Sequence, residues 1–467
     1  MSESGRRKLV ALLGLGGSLA PLAVCFAQVP HRPAHIYSRD DALYVAFRQG
    51  YNKRLNPAPK YIAVCRSEDH IRQALQLARE EGLKVAVRSG GHCFEGFSNN
   101  DGGLVVNVSQ MKRIQWLDAE TVRIEVGCTL REIQAALFPR RRLLPSGSCG
   151  SVGIAGLTLG GGYGFFSRKH GLTCDSLLSL RMVAPNGSVV DGLEDPELLW
   201  ACKGGGNGNF GVVSSLCFKT QALPPHFDSH VLKFRKLDVG RFEQILRTWF
   251  SLSGRLPPHG FGAFVLNGRT LTVLVTGYEA GPELSQLVAP LRAMADSAES
   301  TLQADLPTAM RRYHGRPGPI NFKNASAGMF SGLEEVLRVL QPLFDQLVSH
   351  PGIVFQINTL GGRIADPGFE QASCFPHRHL PYLGELQAYW EHDAAAPGLM
   401  RAFDAIQALF RDSGVSAHYA NYPDIGFAHW EQSYYGVNYV RLQQVKRRYD
   451  PDDLLHHPQS IRLPASP

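Results

Sequence analysis

The sequence predicts an α+β protein in which two differently patterned segments follow one another around a set of glycine-rich loops. Three observations carry that expectation. Between residues 61 and 137 short apolar strands alternate with helical spacings. From about residue 231 to 420 strand-like segments recur with longer helices between them, the pattern of an antiparallel sheet covered by helices. The 48 glycines are gathered at a few places, most densely between Arg88 and Gly211, so they mark particular loops and not general flexibility.

The elements follow in chain order. Arg6, Arg7 and Lys8 precede an apolar stretch from Leu9 to about Ala27 that Gly14, Gly16, Gly17 and Pro21 interrupt. A charged start, a modest apolar core and a small closing residue read as a signal peptide over 1–27. The Arg6-Arg7 pair suits the twin-arginine route, which exports folded proteins, so the mature chain is expected to be secreted or periplasmic. Residues 61–65 form a strand candidate. Ile71, Ala74, Leu75 and Ala78 keep a helical spacing over 67–82, with Ser67 as cap and Gly82 as stop. A strand over 85–88 runs into Ser89-Gly90-Gly91-His92. Strands over 103–108 and 121–126 and a helix over 129–137 complete the first segment. In the second, strands are expected near 230–233, 262–266, 271–277, 353–359 and 384–388, with helices over 239–253, 281–295 and 332–347. The end, 434–461, reads as a helix and a turn.

Composition removes several functions. Apolar content of 44% and charged content of 19% are those of a globular chain, which excludes a disordered one. The net charge is +7, yet the densest basic run, Arg140-Arg141-Arg142, stands without aromatic partners, so no nucleic-acid role is expected. The nine cysteines include no CxxC pair, and His456-His457 are adjacent and face different ways, so no metal site is expected. The cysteine count leaves room for one or two disulfides after export.

Three glycine-rich loops sit at strand ends: 88–92, 147–150 continuing to 160–164, and 204–211. Glycines let a backbone approach a phosphate closely and aim its N–H groups at the anion. Three such loops can wrap a large dinucleotide, whereas neither a Rossmann fingerprint nor a P-loop lysine is present where it would count.

At these motifs the chain resembles the berberine bridge enzyme-like family, within the wider vanillyl-alcohol-oxidase flavin group, from about Tyr61 to Ile461. The residues that carry the resemblance are Arg88, Ser89, Gly90, Gly91 and His92, then Cys149 through Gly153, Ile154 and Gly156. Gly161, Gly162 and Gly164 follow, then Gly211 and Val212 at the end of the third loop, and Asn438 near the C-terminus. The resemblance implies a PCMH-type FAD-binding domain over 56–230, a substrate domain over 231–420, and a C-terminal berberine-like segment over 421–467 that returns to the FAD domain. It implies FAD bound covalently, through His92 to the 8α-methyl and through Cys149 to C6. The family's usual Pro-Thr after the cysteine is replaced here by Gly150-Ser151. Ile154 falls where relatives admit or exclude oxygen, and a branched residue resembles the excluding type.

The implied reaction removes a hydride from a C–H beside O or N of a sugar, alcohol or secondary metabolite, with dioxygen or another acceptor taking the electrons. Such a reaction needs a base. Glu385 is similar to the glutamate that acts as base in the namesake enzyme, and alternation puts Glu385 and Gln387 on one sheet face. Tyr434 and Tyr435, in the family's aromatic site motif, are the competing candidates. The other reading is a flavin-fold protein used for binding or defence, with weak turnover. A monomer is expected.

Overall fold

The computed structural model describes residues 34–465 apart from residue 317, so the expected signal peptide and Cys25 lie outside the described residues. Ser67, in extended backbone, accepts from the His70 amide at 3.2 Å and starts the helix Glu68–Glu80. That helix buries Ile71, Ala74, Leu75 and Ala78, the stripe the spacing requires. Thr129 and Glu132 cap each other's backbone at the head of the helix Leu130–Leu137.

The first sheet comprises His35–Tyr37 (β1), Tyr61–Val64 (β2), Val85–Arg88 (β3) and Leu104–Asn107 (β4). Its order is β1-β2-β4-β3, with β2, β4 and β3 parallel and β1 antiparallel at the edge. Ile114–Trp116 (β5) and Thr121–Glu125 (β6) open the second sheet. A two-strand ribbon pairs Arg142–Leu143 (β7) with a later segment, Gln221–Ala222, reached after Leu177–Val183 (β8), Val189–Asp191 (β9) and Val212–Lys219 (β10); that later segment is β11. The second sheet has the order β5-β6-β10-β8-β9. One apolar core joins these two sheets and the C-terminal segment, from Ile71 and Val106 through Leu180 and Phe210 to Leu442 and Ile461.

The third sheet has seven strands: His226–Phe234 (β12), Phe261–Asn267 (β13), Thr270–Gly277 (β14), Ser297–Asp305 (β15), Asn321–Phe330 (β16), Ile353–Thr359 (β17) and Tyr382–Trp390 (β18). Their order is β15-β12-β14-β13-β17-β18-β16, antiparallel throughout. One face packs Phe264, Phe355 and Leu386 against Trp249, Phe344 and Phe403 of the covering helices. This is the antiparallel sheet covered by helices that the sequence predicts.

The differences have physical causes. β15 (Ser-Ala-Glu-Ser-Thr-Leu-Gln-Ala-Asp) is an edge strand with no buried residue, so it lacks the alternation that marks a half-buried strand. β16 is buried along almost its whole length yet carries Asn321, Lys323, Asn324 and Ser326, which hide its apolar period. The helix expected over 332–347 breaks after Leu337 into Leu333–Leu337 and Leu340–Ser349. β12 begins at His226 and runs across the expected boundary at 230/231. The room the cysteine count left for one or two disulfides is not used among the described residues: none of the eight cysteines there is paired with another, and most are buried in the cores.

Candidate active site

The three glycine loops converge on one cavity of about 1110 Å³ that the third sheet floors from the far side. Ser89, Gly90, Gly91 and His92 line it from the end of β3, Gly147, Cys149, Val152, Gly153, Gly156 and Gly164 from the second loop, and Gly206, Gly208 and Gly211 from the third. The first two loops interlock. A Cβ on Gly90 would stand 2.4 Å from Gly153 N, and one on Gly153 would stand 2.6 Å from Gly90 N, so any side chain at either position forces the two backbones apart. The second loop is fixed in turn by the helix behind it: Leu130 N donates to Val152 O at 2.9 Å and Arg131 N to Gly150 O at 3.0 Å.

That contact brings His92 and Cys149 to the same cavity. The Tyr51 ring stacks on the His92 imidazole at 4.0 Å and 21°. Desolvation, with Arg88's charge second, pushes the imidazole down to about 4, against a backbone hydrogen bond to Ser151 that acts the other way. His92 is therefore a neutral imidazole at pH 7. Gly315 covers Cys149, its ideal Cβ position lying 3.4 Å from Sγ, and Tyr51 Oη donates to Arg316 O at 3.0 Å.

The floor carries the titratable chemistry. In β18, Leu386 and Ala388 enter the helix-covered core, while Glu385 and Tyr389 line the cavity, as alternation requires. Glu385 is 7% exposed, so the expected face is an interior one. Burial raises its carboxyl to about 7, against hydrogen bonds from Gln387 and Asn324 that favour the charged form. Asn324 Nδ2 donates to Glu385 Oε1 at 3.4 Å and to Tyr389 Oη at 3.0 Å. Nearby, the hydroxyls of Tyr163 and Tyr422 lie 2.9 Å apart, and Asn358 Nδ2 donates to Tyr163 Oη at 3.1 Å. Burial and then the Glu385 charge hold both phenols well above their ordinary value.

Other expected site residues stand at its border with their polar atoms spent, or behind its wall. Tyr434 and Tyr435 border the cavity, but both are buried and their hydroxyls are committed. Asp424 N donates to Tyr434 Oη at 3.0 Å and Tyr434 Oη donates to Gln459 Oε1 at 3.1 Å, while Tyr435 bonds Asn209. Burial holds both phenols above their usual range, which removes the acidification a base there would need. Arg88 does not line the cavity; its guanidinium grips the carbonyls of Phe47, Arg48 and Gln49. Gly161, Gly162, Val212 and Asn438 stand behind the wall. A Cβ on Gly161 would strike the Phe375 ring, Gly162 N donates to Tyr419 Oη, Val212 opens β10, and Asn438 Nδ2 donates to Cys374 O.

Ile154 also departs from expectation. Gly153 is the N-cap of the short helix Ile154–Leu159, and the first helical side chain turns into the core with no exposure. The branched side chain of this loop that reaches the cavity is Val152. Ile154 gives no ground for oxygen exclusion.

A buried charge network braces the floor. Lys323 Nζ donates to Glu95 and, at 2.7 Å, to Asp424 Oδ1, and Arg54 Nη2 reaches Glu95 Oε2 at 2.8 Å. Lys323 neighbours Asn324 in β16, Glu95 follows Phe94, and Asp424 closely follows Tyr422, whose ring stacks on Phe94 at 5.0 Å and 24°. The network thereby ties the His92 loop, the sheet and the C-terminal segment at one place.

The residues present fit FAD. The cavity has the size for a dinucleotide, three glycine loops line it, and two buried acceptors on its wall, His457 Nδ1 and Asn207 Oδ1, have no partner among the described residues. Comparison with known proteins agrees. Residues 59–192 match the family described as "FAD binding domain", and residues 418–462 match "Berberine and berberine like". The chain is 30% identical over 449 residues to the xylooligosaccharide oxidase of Thermothelomyces thermophilus, covering 88% of each chain. It is 28% identical over 485 residues to the aclacinomycin-N/aclacinomycin-A oxidase of Streptomyces galilaeus, covering 89% of this chain and 87% of that one. The solved xylooligosaccharide oxidase from Myceliophthora thermophila C1, in complex with xylobiose, superposes with a TM-score of 0.82 at 26% identity, over 93% of this chain and 98% of that one.

Proposed function

We propose that this chain, which belongs to the berberine and berberine-like family of FAD-linked oxidoreductases, oxidises a carbon bearing O or N in a sugar or secondary metabolite, with its flavin tethered through His92 and Cys149. The observation that carries the reading is a buried carboxyl, Glu385, facing the cavity to which His92 and Cys149 are brought. FAD, when bound, supplies the acceptor for the hydride and passes the electrons on to dioxygen or another acceptor. Glu385 does the proton work. Its carboxylate takes the O–H or N–H proton as the adjoining C–H bond gives up its electron pair, and the carbon becomes a carbonyl or imine. Asn324 and Gln387 hold the carboxylate in place, and Tyr51, Phe322 and Tyr389 supply aromatic walls for a ring.

The base works only when ionised. Because its value lies near 7, the rate of flavin reduction should rise with pH through about 7 and level off above it. Anaerobic bleaching of the flavin by substrate between pH 5 and 9 reads this out, and a rate that is flat across that range contradicts the assignment.

The binding or defence alternative leaves Glu385 without a task, so turnover is the stronger reading. We place the mature protein outside the cytoplasm, on the strength of Arg6-Arg7 and the apolar stretch behind them. Replacing both arginines by lysine should hold the protein inside the expressing cell with its leader intact; unchanged export would remove the twin-arginine route.

A further inference from the structure

A second cavity, of about 460 Å³, shares no lining residue with the flavin cavity. Its floor is the face of the second sheet turned away from the apolar core. Val122 and Ile124 of β6, Leu180 of β8 and Leu216 of β10 enter that core, so the residues alternating with them face outward. Strand register then sets Glu125, Ser215 and Arg181 side by side across three strands, and Arg123 opposite Gln115 of β5. The first turn of the helix Glu68–Glu80, with Arg66 and Ser67 before it, forms the wall.

Five guanidiniums line this cavity, those of Arg66, Arg72, Arg113, Arg123 and Arg181, against the three carboxylates of Glu68, Asp69 and Glu125. Each carboxylate is already engaged. Glu68 accepts from Arg181 through both oxygens at 3.0 Å, and Ser214 Oγ donates to it at 2.7 Å. Asp69 pairs with Arg72. Glu125 Oε2 accepts from Arg113 N at 2.7 Å, while the Arg113 guanidinium stays 4.0 Å from Oε1. Arg66 and Arg123 are exposed, and their guanidiniums have no hydrogen-bond or ion-pair partner among the described residues. Positive charge therefore converges from separate segments on one concave site that its own acids do not neutralise.

We infer that this groove binds an oxyanion of the phosphate class, a phosphate or diphosphate group, apart from the flavin and with no share in the redox chemistry. Arg66 and Arg123 supply unspent charge, and the planar fork of each guanidinium matches two oxygens of a phosphate. Arg113, Gln115 and Ser215 add donors from the floor. The excess of two guanidiniums over carboxylates suits a dianion better than a single carboxylate. A free diphosphate and a phosphate-bearing polymer present the same group, and the two are separated by chain length.

Isothermal titration of the flavin-loaded protein with inorganic pyrophosphate, and in parallel with long-chain polyphosphate, tests the inference. Binding should be saturable at low ionic strength and weaken as salt is raised. The double variant Arg66→Gln/Arg123→Gln should weaken it by about 10-fold or more, the range of charge-assisted hydrogen bonds lost. Glu125→Gln keeps an acceptor for Arg113 N and deletes a negative charge, so it should tighten binding, a gain that a damaged fold would not give. Arg401→Gln, at an exposed position of the helix Ala396–Asp412, should bind as wild type does. Flavin reduction should keep its wild-type rate in all of these variants. Polyphosphate bound more tightly than pyrophosphate, with the same dependence on Arg66 and Arg123, assigns a polymer-borne group; equal binding assigns a free anion. The inference is overturned if neither probe binds, if the double variant binds both as wild type does, if Glu125→Gln weakens them, or if Arg401→Gln costs as much as the double variant.

Discussion

Glu385→Gln is expected to lower the rate of flavin reduction by about 10²- to 10⁴-fold, the range over which a positioned general base contributes. Glutamine has nearly the same shape, and its amide can still bond Asn324 and Gln387, so the packing around β18 is preserved and the loss is of proton-accepting capacity alone. The rise of rate through about pH 7 should vanish with it, because the group that titrates there is gone. Anaerobic stopped-flow bleaching of the flavin measures both effects. Tyr434→Phe is the control: its hydroxyl is already spent between Asp424 N and Gln459 Oε1, so reduction should stay within a few-fold of wild type. If Glu385→Gln reduces at the wild-type rate, the proton goes elsewhere, and the Tyr163–Tyr422 hydroxyl pair is the group left on the same wall.

The second large effect concerns retention of the flavin. Either His92→Ala or Cys149→Ala alone should leave a coloured protein pellet after acid precipitation, since one bond holds the cofactor. The double variant should release all of its colour to the supernatant. A single variant that loses all covalent flavin would show that the remaining residue forms no bond by itself. The geometry supports two tethers because the two side chains arise from loops that interlock at Gly90 and Gly153. His92 is presented as a neutral imidazole beneath Tyr51, and Cys149 lies beneath Gly315.

The sequence was most legible where a chemical requirement falls on consecutive residues. Ser89-Gly90-Gly91-His92 and the glycines that follow Cys149 announce close backbone approach in their composition, and the structure puts both loops on one cavity. Glu385 was legible as a base candidate through the resemblance, while alternation alone put it and Gln387 on one face without saying whether that face is interior. A strand facing a ligand cavity shows the same polar alternation as a strand facing water, and only the packing of the sheet against the FAD-binding half decides between them. Ile154 was misread because one residue decides its direction: the helix begins right after Gly153, so its side chain turns to the core and Val152 takes the wall.

The residues that sequence reasoning missed share a cause. Tyr51, Tyr163, Asn324 and Tyr422 come from four distant parts of the chain and meet only because seven antiparallel strands and the C-terminal segment bring them together. No local period marks them. Lys323, a buried lysine between two carboxylates, offered a signal of a kind. A charged residue inside a strand otherwise closed by Ala325, Ala327, Met329 and Phe330 needs partners, and those partners are supplied by the residue after Phe94 and by Asp424.

The central claim is that one flavin is held at two points of this cavity. Mass mapping of proteolysed wild-type protein tests it most directly. The peptides containing His92 and Cys149 should be recovered together, joined through a single FAD and coloured, with neither present in unmodified form. Unmodified His92 and Cys149 peptides, with all of the flavin free in solution, would contradict it.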